Sequence, residues 1–335
     1  MSGDPKPLKL DKRCGGLRLI TDLGAQPTSE TGSGNSGRGI VDAHHHLWNP
    51  ERNYHPWLCD EPSIPFRYGD YSSIRGPYLP LAYRADTTPW TIEASVYIET
   101  EWDPADPAGE MDYVATLIAS EGLPTVAVAQ AWLDRQDAAA VIEAHAARSF
   151  VRSVRHKPRA NKLPTDSTSG GMTDAKWRAG FSRLAPLGLR FDLQTPWWHL
   201  AEAARLAADF PNTQIILNHT GLPADRTEQG IAGWRDAMAQ LAGCPNVAVK
   251  ISGLGQPGLL WTVSANRAIV LTTIDLYGVD RCMFASNFPV DRICADFGTI
   301  YRGFQAIVAD FTLAEQDALF AANARRIYAI EDVYD

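Results

Sequence analysis

Eight short runs rich in apolar and β-branched residues recur along the chain, at 40–46, 92–99, 125–131, 151–155, 189–194, 214–219, 247–252 and 281–286. Alanine- and leucine-rich stretches of helical spacing lie between most of them, at 111–121, 137–148, 176–184, 199–208, 231–242 and 266–277. Strand runs that alternate with helical patterns read as βα units, which pair in parallel. Eight units over roughly 290 residues match the size and rhythm of an α/β fold of the (β/α)8, or TIM, barrel type. The competing open, doubly wound sheet usually carries a glycine-rich first turn. The first turn here is rich in histidine instead, as Asp-Ala-His-His-His-Leu-Trp at 42–48. The reading is one barrel domain at 39–335, preceded by a Gly-, Ser-, Pro- and Thr-rich arm at 1–38 that is too poor in apolar residues to bury itself.

Charge narrows the function. Lys and Arg number 31 against 39 Asp and Glu, a net charge of −8. A mildly acidic chain is poorly suited to a phosphate backbone or an anionic membrane, and no apolar run reaches the ~18 residues of a membrane helix. The expected partner is a small-molecule substrate, with neither nucleic acid nor membrane involved; a homo-oligomer is compatible with the chain. The five cysteines are widely spaced, odd in number and without a CxxC pair. That pattern suggests free thiols in a reducing compartment, hence a soluble, cytoplasmic protein. The connection at 48–90 is unusually long and rich in Pro and aromatic residues, including Trp48, Trp57 and Trp90. Long connections in compact domains are usually functional, so it is read as a lid over the barrel mouth.

The candidate chemistry sits at strand ends. Alternation along a strand puts Asp42, His44 and His46 on one face and His45 on the other, toward the helices. Two adjacent imidazoles suit a divalent metal or an oxyanion. His219 ends the sixth run and converges on the same mouth. Parity groups Tyr97 with Glu99 and Glu101, whose carboxylates could serve as base, ligand or orienter. Arg155 and His156 point to opposite faces, so one of them enters the mouth as an anion receptor. Gln194 is a substrate contact, Trp198 an apolar wall, and Lys250 a structural ion pair. Asn287 ends the eighth run, where an amide can orient groups but cannot take a proton; Asp291 follows four residues on.

These segments, with Glu-Trp-Asp-Pro-Ala-Asp at 101–106, Val-Arg-His-Lys-Pro at 154–158, Asn-His-Thr-Gly at 218–221, Lys-Ile-Ser-Gly-Leu at 250–254, Ser-Asn-Phe-Pro at 286–289 and Asn-Ala-Arg-Arg-Ile-Tyr at 323–328, resemble the amidohydrolase superfamily. The nearest resemblance is to the amidohydrolase 2 branch and its lactonase-like group, which includes sugar-acid lactonases and 2-pyrone-4,6-dicarboxylate lactonase. The resemblance implies a barrel mouth holding the His-x-His pair, a sixth-strand His and an eighth-strand carboxylate. In metal-dependent relatives a fifth-strand His and the eighth-strand Asp complete a metal site. In lactonase-like relatives metal can be dispensable. Gln194 and Asn287 stand where that His and that Asp are expected, and both are poor zinc ligands.

The resulting expectation is a hydrolase of carboxylic ester bonds that opens a small sugar-acid or carboxylated lactone and requires no cofactor. His44, His46 and His219 would stabilise the oxyanion and Asn287 would orient water. Arg155, His156, Gln194, Glu99, Glu101 and Trp198 would contact substrate. The alternatives are a zinc-dependent amidohydrolase or decarboxylase, with Zn2+ on His44, His46 and His219, and a non-catalytic binding protein on the same fold.

Overall fold

A computed structural model describes residues 39–331; the segment read as an N-terminal arm lies outside them. Eight strands form one parallel sheet in chain order. They are β1 Ile40–His45, β2 Ile92–Ile98, β3 Val126–Gln130, β4 Val151–Arg155, β5 Arg190–Leu193, β6 Ile215–Leu217, β7 Val247–Ile251 and β8 Cys282–Phe284. The residues after β8 pair back onto β1: Asn287 N–H donates to the His44 carbonyl at 2.8 Å, and His46 N–H to that of Phe288 at 2.7 Å. The sheet thus closes as the expected barrel.

Helices follow the strands because the local signals agree. Side chains of Asp174, Thr227, Thr262 and Asp296 each accept a backbone N–H at a helix start, which satisfies donors that the helix itself leaves free. Alternate strand residues divide the core. Val41, Ala43, Ala94, Val96, Ile98, Val126, Val128, Ile216, Ala248, Met283 and Ala285 fill the barrel, and Ala324, Ile327 and Tyr328 of the helix Asn323–Tyr328 pack against them. The opposite faces join the larger cluster beneath the helices.

A polar belt crosses the barrel. The buried Asp192 carboxylate accepts from Lys250 Nζ at 2.7 Å, Asn218 Nδ2 at 2.9 Å, Ser153 Oγ at 2.7 Å and Tyr328 Oη at 2.8 Å. Lys250 is fully buried, and burial pushes its pKa down to about 8 despite Asp192. The expected ion pair of Lys250 is therefore present, and it is structural: a buried charge persists when paired and hydrogen-bonded.

Strict alternation fails in β1. Asp42 pairs with Ser95 and His45 with Tyr97, so three steps along β1 match two along β2. One extra residue is a bulge, which changes the phase of the side chains that follow. Asp42 therefore does not share the face of His44 and His46. It points outward, accepting from Ser286 Oγ at 2.6 Å, Ser286 N–H at 2.9 Å and Tyr83 Oη at 2.8 Å. His45 lies beside Tyr83 and Tyr97, toward the helices, as expected. Tyr97 belongs to that outer layer too, so it does not share the face of Glu99. Cys244, Cys282 and Cys294 are free thiols, but Cys59 is disulfide-bonded, which corrects the reading of five free cysteines.

Buried imidazoles make stability depend on pH. Burial is the main cause that pushes His55 and His145 down to about 4. Their ordinary pKa near 6.5 returns on unfolding, so between about pH 6.5 and 4 the unfolded chain binds more protons and stability falls as pH falls. Each contributes a loss of about 2 kcal/mol by pH 5. Urea titrations at pH 7 and pH 5 should show this loss, and His145→Gln should reduce it. Equal pH dependence in both proteins would contradict the assignment.

Candidate functional site

The site is built at the C-terminal ends of the strands. A cavity of about 290 Å3 opens there, lined by His46, Glu99, Arg155, Gln194, His219 and Asn287 from the barrel and by Trp57, Ile64, Phe66 and Arg67 from the long connection. The connection is thus a lid, and among its anchors are two beyond strand ends. Trp57 Nε1 donates to the Thr100 carbonyl at 2.8 Å, beyond β2. Tyr68 Oη donates to Asp291 at 2.8 Å, beyond β8.

His44 lies beneath His46 and beside His219. Its Nε2 is 3.3 Å from His46 Nε2, and its ring centre is 4.6 Å from that of His219. His46 Nδ1 lies 2.9 Å from the Ile98 carbonyl, which can only accept. Neutral His46 therefore carries its proton on Nδ1 and presents a lone pair at Nε2. This corrects the expectation that His46 donates to an oxyanion. His219 Nδ1 is held 2.9 Å from Ser252 Oγ.

Burial first, then neighbouring cations, pushes all three imidazoles well below their ordinary range. Lys250 acts on His44, Arg155 on His46 and Arg67 on His219. All three are neutral near pH 7. The His44 and His46 nitrogens are spaced as two ligands of a tetrahedral zinc would be, about 3.3 Å apart for Zn–N bonds of ~2.0–2.1 Å. No group of three His, Cys, Asp or Glu among the described residues is arranged to hold a metal ion. The donor set present fits two ligands and not a closed zinc site.

Strained backbone is concentrated here. Glu101, His219, Thr220, Leu222 and Asn287 all have positive φ. Such conformations cost about 1–3 kcal/mol each and persist where surrounding contacts impose them. The left-handed stretch after β6 carries His219 over the mouth, and Trp234 Nε1 holds it by donating to the Thr220 carbonyl at 2.7 Å. Gly253, at φ +64, backs onto His219: a Cβ there would stand 2.7 Å from Nδ1. This contact and the positive φ together require glycine at 253.

Charged groups surround the imidazoles. Arg155, rather than His156, enters the cavity; it pairs with Glu99, donates to the Glu99 carbonyl at 2.7 Å and reaches Gln194 Oε1 at 3.1 Å. His156 turns away, its Nδ1 accepting from Leu133 N–H at 3.1 Å. Trp198 also lies outside the cavity, its Nε1 donating to the Asn161 carbonyl at 3.1 Å. Lys157 pairs with Glu101 at the rim. Arg67 is the functional candidate that the sequence did not point to: its guanidinium lies over the Tyr68 ring and 3.8 Å from Asp291. No strand pattern marks a residue in an irregular lid.

Asn287 Nδ2 donates to the buried Asp291 carboxylate at 2.6 Å. That bond fixes the amide, so Oδ1 is the atom free to accept. Burial pushes the Asp291 pKa up, against the opposing pull of Arg67. Asp291 does not line the cavity; it is reached through Asn287, Tyr68 and Arg67.

Comparison with known proteins bears on the fold and the family. A Sinorhizobium fredii protein named y4mH, itself uncharacterised, is 38% identical over 297 residues, covering 87% of this chain and 98% of that one. An L-fucono-1,5-lactonase from Burkholderia multivorans is 24% identical over 309 residues, covering 88% and 97%. The crystal structure of an amidohydrolase from Burkholderia multivorans with bound HEPES superposes with a TM-score of 0.73 at 22% identity, covering 87% of this chain and 99% of that one. That likeness is one of fold. The amidohydrolase family model, Amidohydro_2, matches residues 41–330, nearly the whole barrel, and the chain therefore belongs to the amidohydrolase family.

Proposed function

We propose that the protein is a lactonase: a hydrolase that opens a small carboxylated or polyhydroxylated lactone by attack of water. The observation that carries this reading is a floor of neutral imidazoles ringed by three cations, Arg67, Arg155 and Lys157, in a cavity of ring size. Arg155 is held by Glu99 and Gln194, whereas Arg67 is the less tightly paired guanidinium. Arg67 receives a substrate carboxylate or the developing oxyanion, where an aligned charge is worth most. Asn287 Oδ1 accepts one hydrogen of the attacking water. The His44–His46 pair takes the other, sharing the proton between nitrogens 3.3 Å apart. Collapse of the tetrahedral intermediate expels the ring oxygen, which regains that proton as the hydroxyl of the open acid. No step is routed through a metal, because the ligand set is incomplete.

Proton release across a panel of sugar-acid and carboxylated lactones tests the reaction. Hydrolysis of at least one is expected. Silence across the panel, with substrate analogues still bound, would favour a binding protein. His44→Ala or His46→Ala should abolish turnover. Arg67→Met should lower kcat/KM for a carboxylated lactone by roughly ten- to a hundredfold, the scale of one hydrogen bond to a charged group. Elemental analysis should find well under one zinc per chain, with little loss of activity on chelation. One zinc per chain and activity that is lost on chelation and restored by zinc would replace this reading with the zinc-dependent one.

Asn287→Asp separates an orienting amide from a lost base. The new carboxylate would face Asp291 across a 2.6 Å contact, and two such groups cannot both ionise. Hydrolysis should slow by roughly tenfold or more. The double variant Asn287→Asp with Asp291→Asn restores one amide and one carboxylate, and should recover part of the rate. Faster hydrolysis by the single variant would mean that position 287 lacks a base the chemistry wants.

A further inference from the structure

A second cavity, of about 270 Å3, adjoins the first and shares Glu99, Glu101 and Lys157 with it. Its own walls are Trp102, Trp132, Pro56, Pro104, Gln130 and His156. Two of the shared side chains, Lys157 and Glu101, form an ion pair and are 38% and 39% exposed. A pair this exposed contributes little, so a bound molecule can part it. The first cavity alone is at the small end of the ~300–1,000 Å3 usual for ligand sites; the two together lie well inside that range.

From this arrangement we infer a second subsite that takes a sugar ring attached to the reacting lactone. The inference rests on the lactonase reading and names the class of substrate. The walls combine indole faces and prolines with polar groups of both kinds. The Arg135 guanidinium lies over the half-buried Trp132 ring at 4.8 Å, and Trp132 lines the cavity. Gln130 Oε1 is buried and has no hydrogen-bond partner, so it awaits a donor. His156 accepts at Nδ1 from Leu133, which puts its proton on Nε2 as a donor. Lys157 adds a donor, and Glu101 an acceptor.

A ring with an apolar C–H face and hydroxyls at its edge satisfies this set, since each hydroxyl both donates and accepts. A carboxylate would meet Glu99 and Glu101 and leave Gln130 Oε1 unpaired. A plain aromatic ring would stack on Trp132 but leave the buried acceptor desolvated and unpaired, which carries a free-energy cost. The His156 ring, missing from the catalytic cavity, thus has a place in the second one.

The test uses the full chain and two pairs of probes. Binding of gluconate and of maltobionate, which is gluconate bearing a glucosyl group at O4, is measured by calorimetry. Hydrolysis of the two corresponding lactones is measured by proton release. Maltobionate should bind about tenfold more tightly, the scale of one or two added hydrogen bonds. In Trp132→Ala and in Gln130→Leu the preference should fall to near one. Equal binding of the two acids by the native chain, or a preference that survives both substitutions, overturns the subsite. A benzyl group at O4 that gains as much as the glucosyl group overturns the sugar and leaves an apolar pocket. If neither lactone is hydrolysed but the Trp132-dependent preference holds, the subsite stands and the reaction assigned above fails. If both lactones are hydrolysed with the same kcat/KM, the reaction stands and the subsite fails.

Discussion

The seam between the first and last strands is the constraint on which the rest depends. A parallel barrel has no edges only if its first strand pairs with its last. Here β8 is three residues long, and the seam is completed beyond it by Asn287 N–H on the His44 carbonyl and His46 N–H on that of Phe288. Asp42 reinforces the seam by accepting both donors of Ser286 while Tyr83 grips it from the helix Pro80–Thr87. The bonds that close the barrel are also the bonds that bring two histidines to Asn287. Structure and site are therefore one piece of geometry at this edge. The positive φ of Asn287 is held by the same contacts.

Above the seam, electrostatics decides what the imidazoles can do. Three rings buried together, with the charges of Lys250, Arg67 and Arg155 acting on them, are neutral at rest near neutrality. They are lone-pair and N–H groups of fixed orientation rather than cations. The positive charge of the mouth belongs to the guanidinium and ammonium groups of Arg67, Arg155 and Lys157, which line the cavity. This separation suits chemistry in which a neutral base meets an anionic substrate. It also explains why Lys250 is tolerated: Asp192 and three further donors tie the pair into a belt beneath the site.

The lid joins these two levels. Trp57 and Phe66 stack over the mouth, with ring centres 5.8 Å apart, and Tyr68 and Arg67 reach Asp291 behind Asn287. Asp291 is thus shared between lid and barrel. A carboxylate in that position orients the amide that lines the cavity, and its alignment depends on the lid being in place.

Much of this was legible in the residues themselves. The alternation of apolar strand runs with helical stretches determined the barrel, because burial on both sheet faces demands such runs and eight of them close a ring. The strand-end positions of His44, His46, His219, Arg155 and Asn287 placed them at one mouth. What periodicity could not carry was phase. The bulge in β1 turned Asp42 away from the histidines, and β2 ended at Ile98, releasing Glu99 from the pleat and separating it from Tyr97. Nor could the sequence place side chains of irregular segments: Arg67 came to the cavity, and Trp198 and His156 left it, by contacts with residues distant in the chain. The tautomer of His46 was likewise set by the Ile98 carbonyl, 52 positions away. Local pattern determined which residues stand at the mouth. Tertiary contacts alone decided which atoms face the cavity, because bulges, strand ends and lid anchors are set by partners that no local repeat contains.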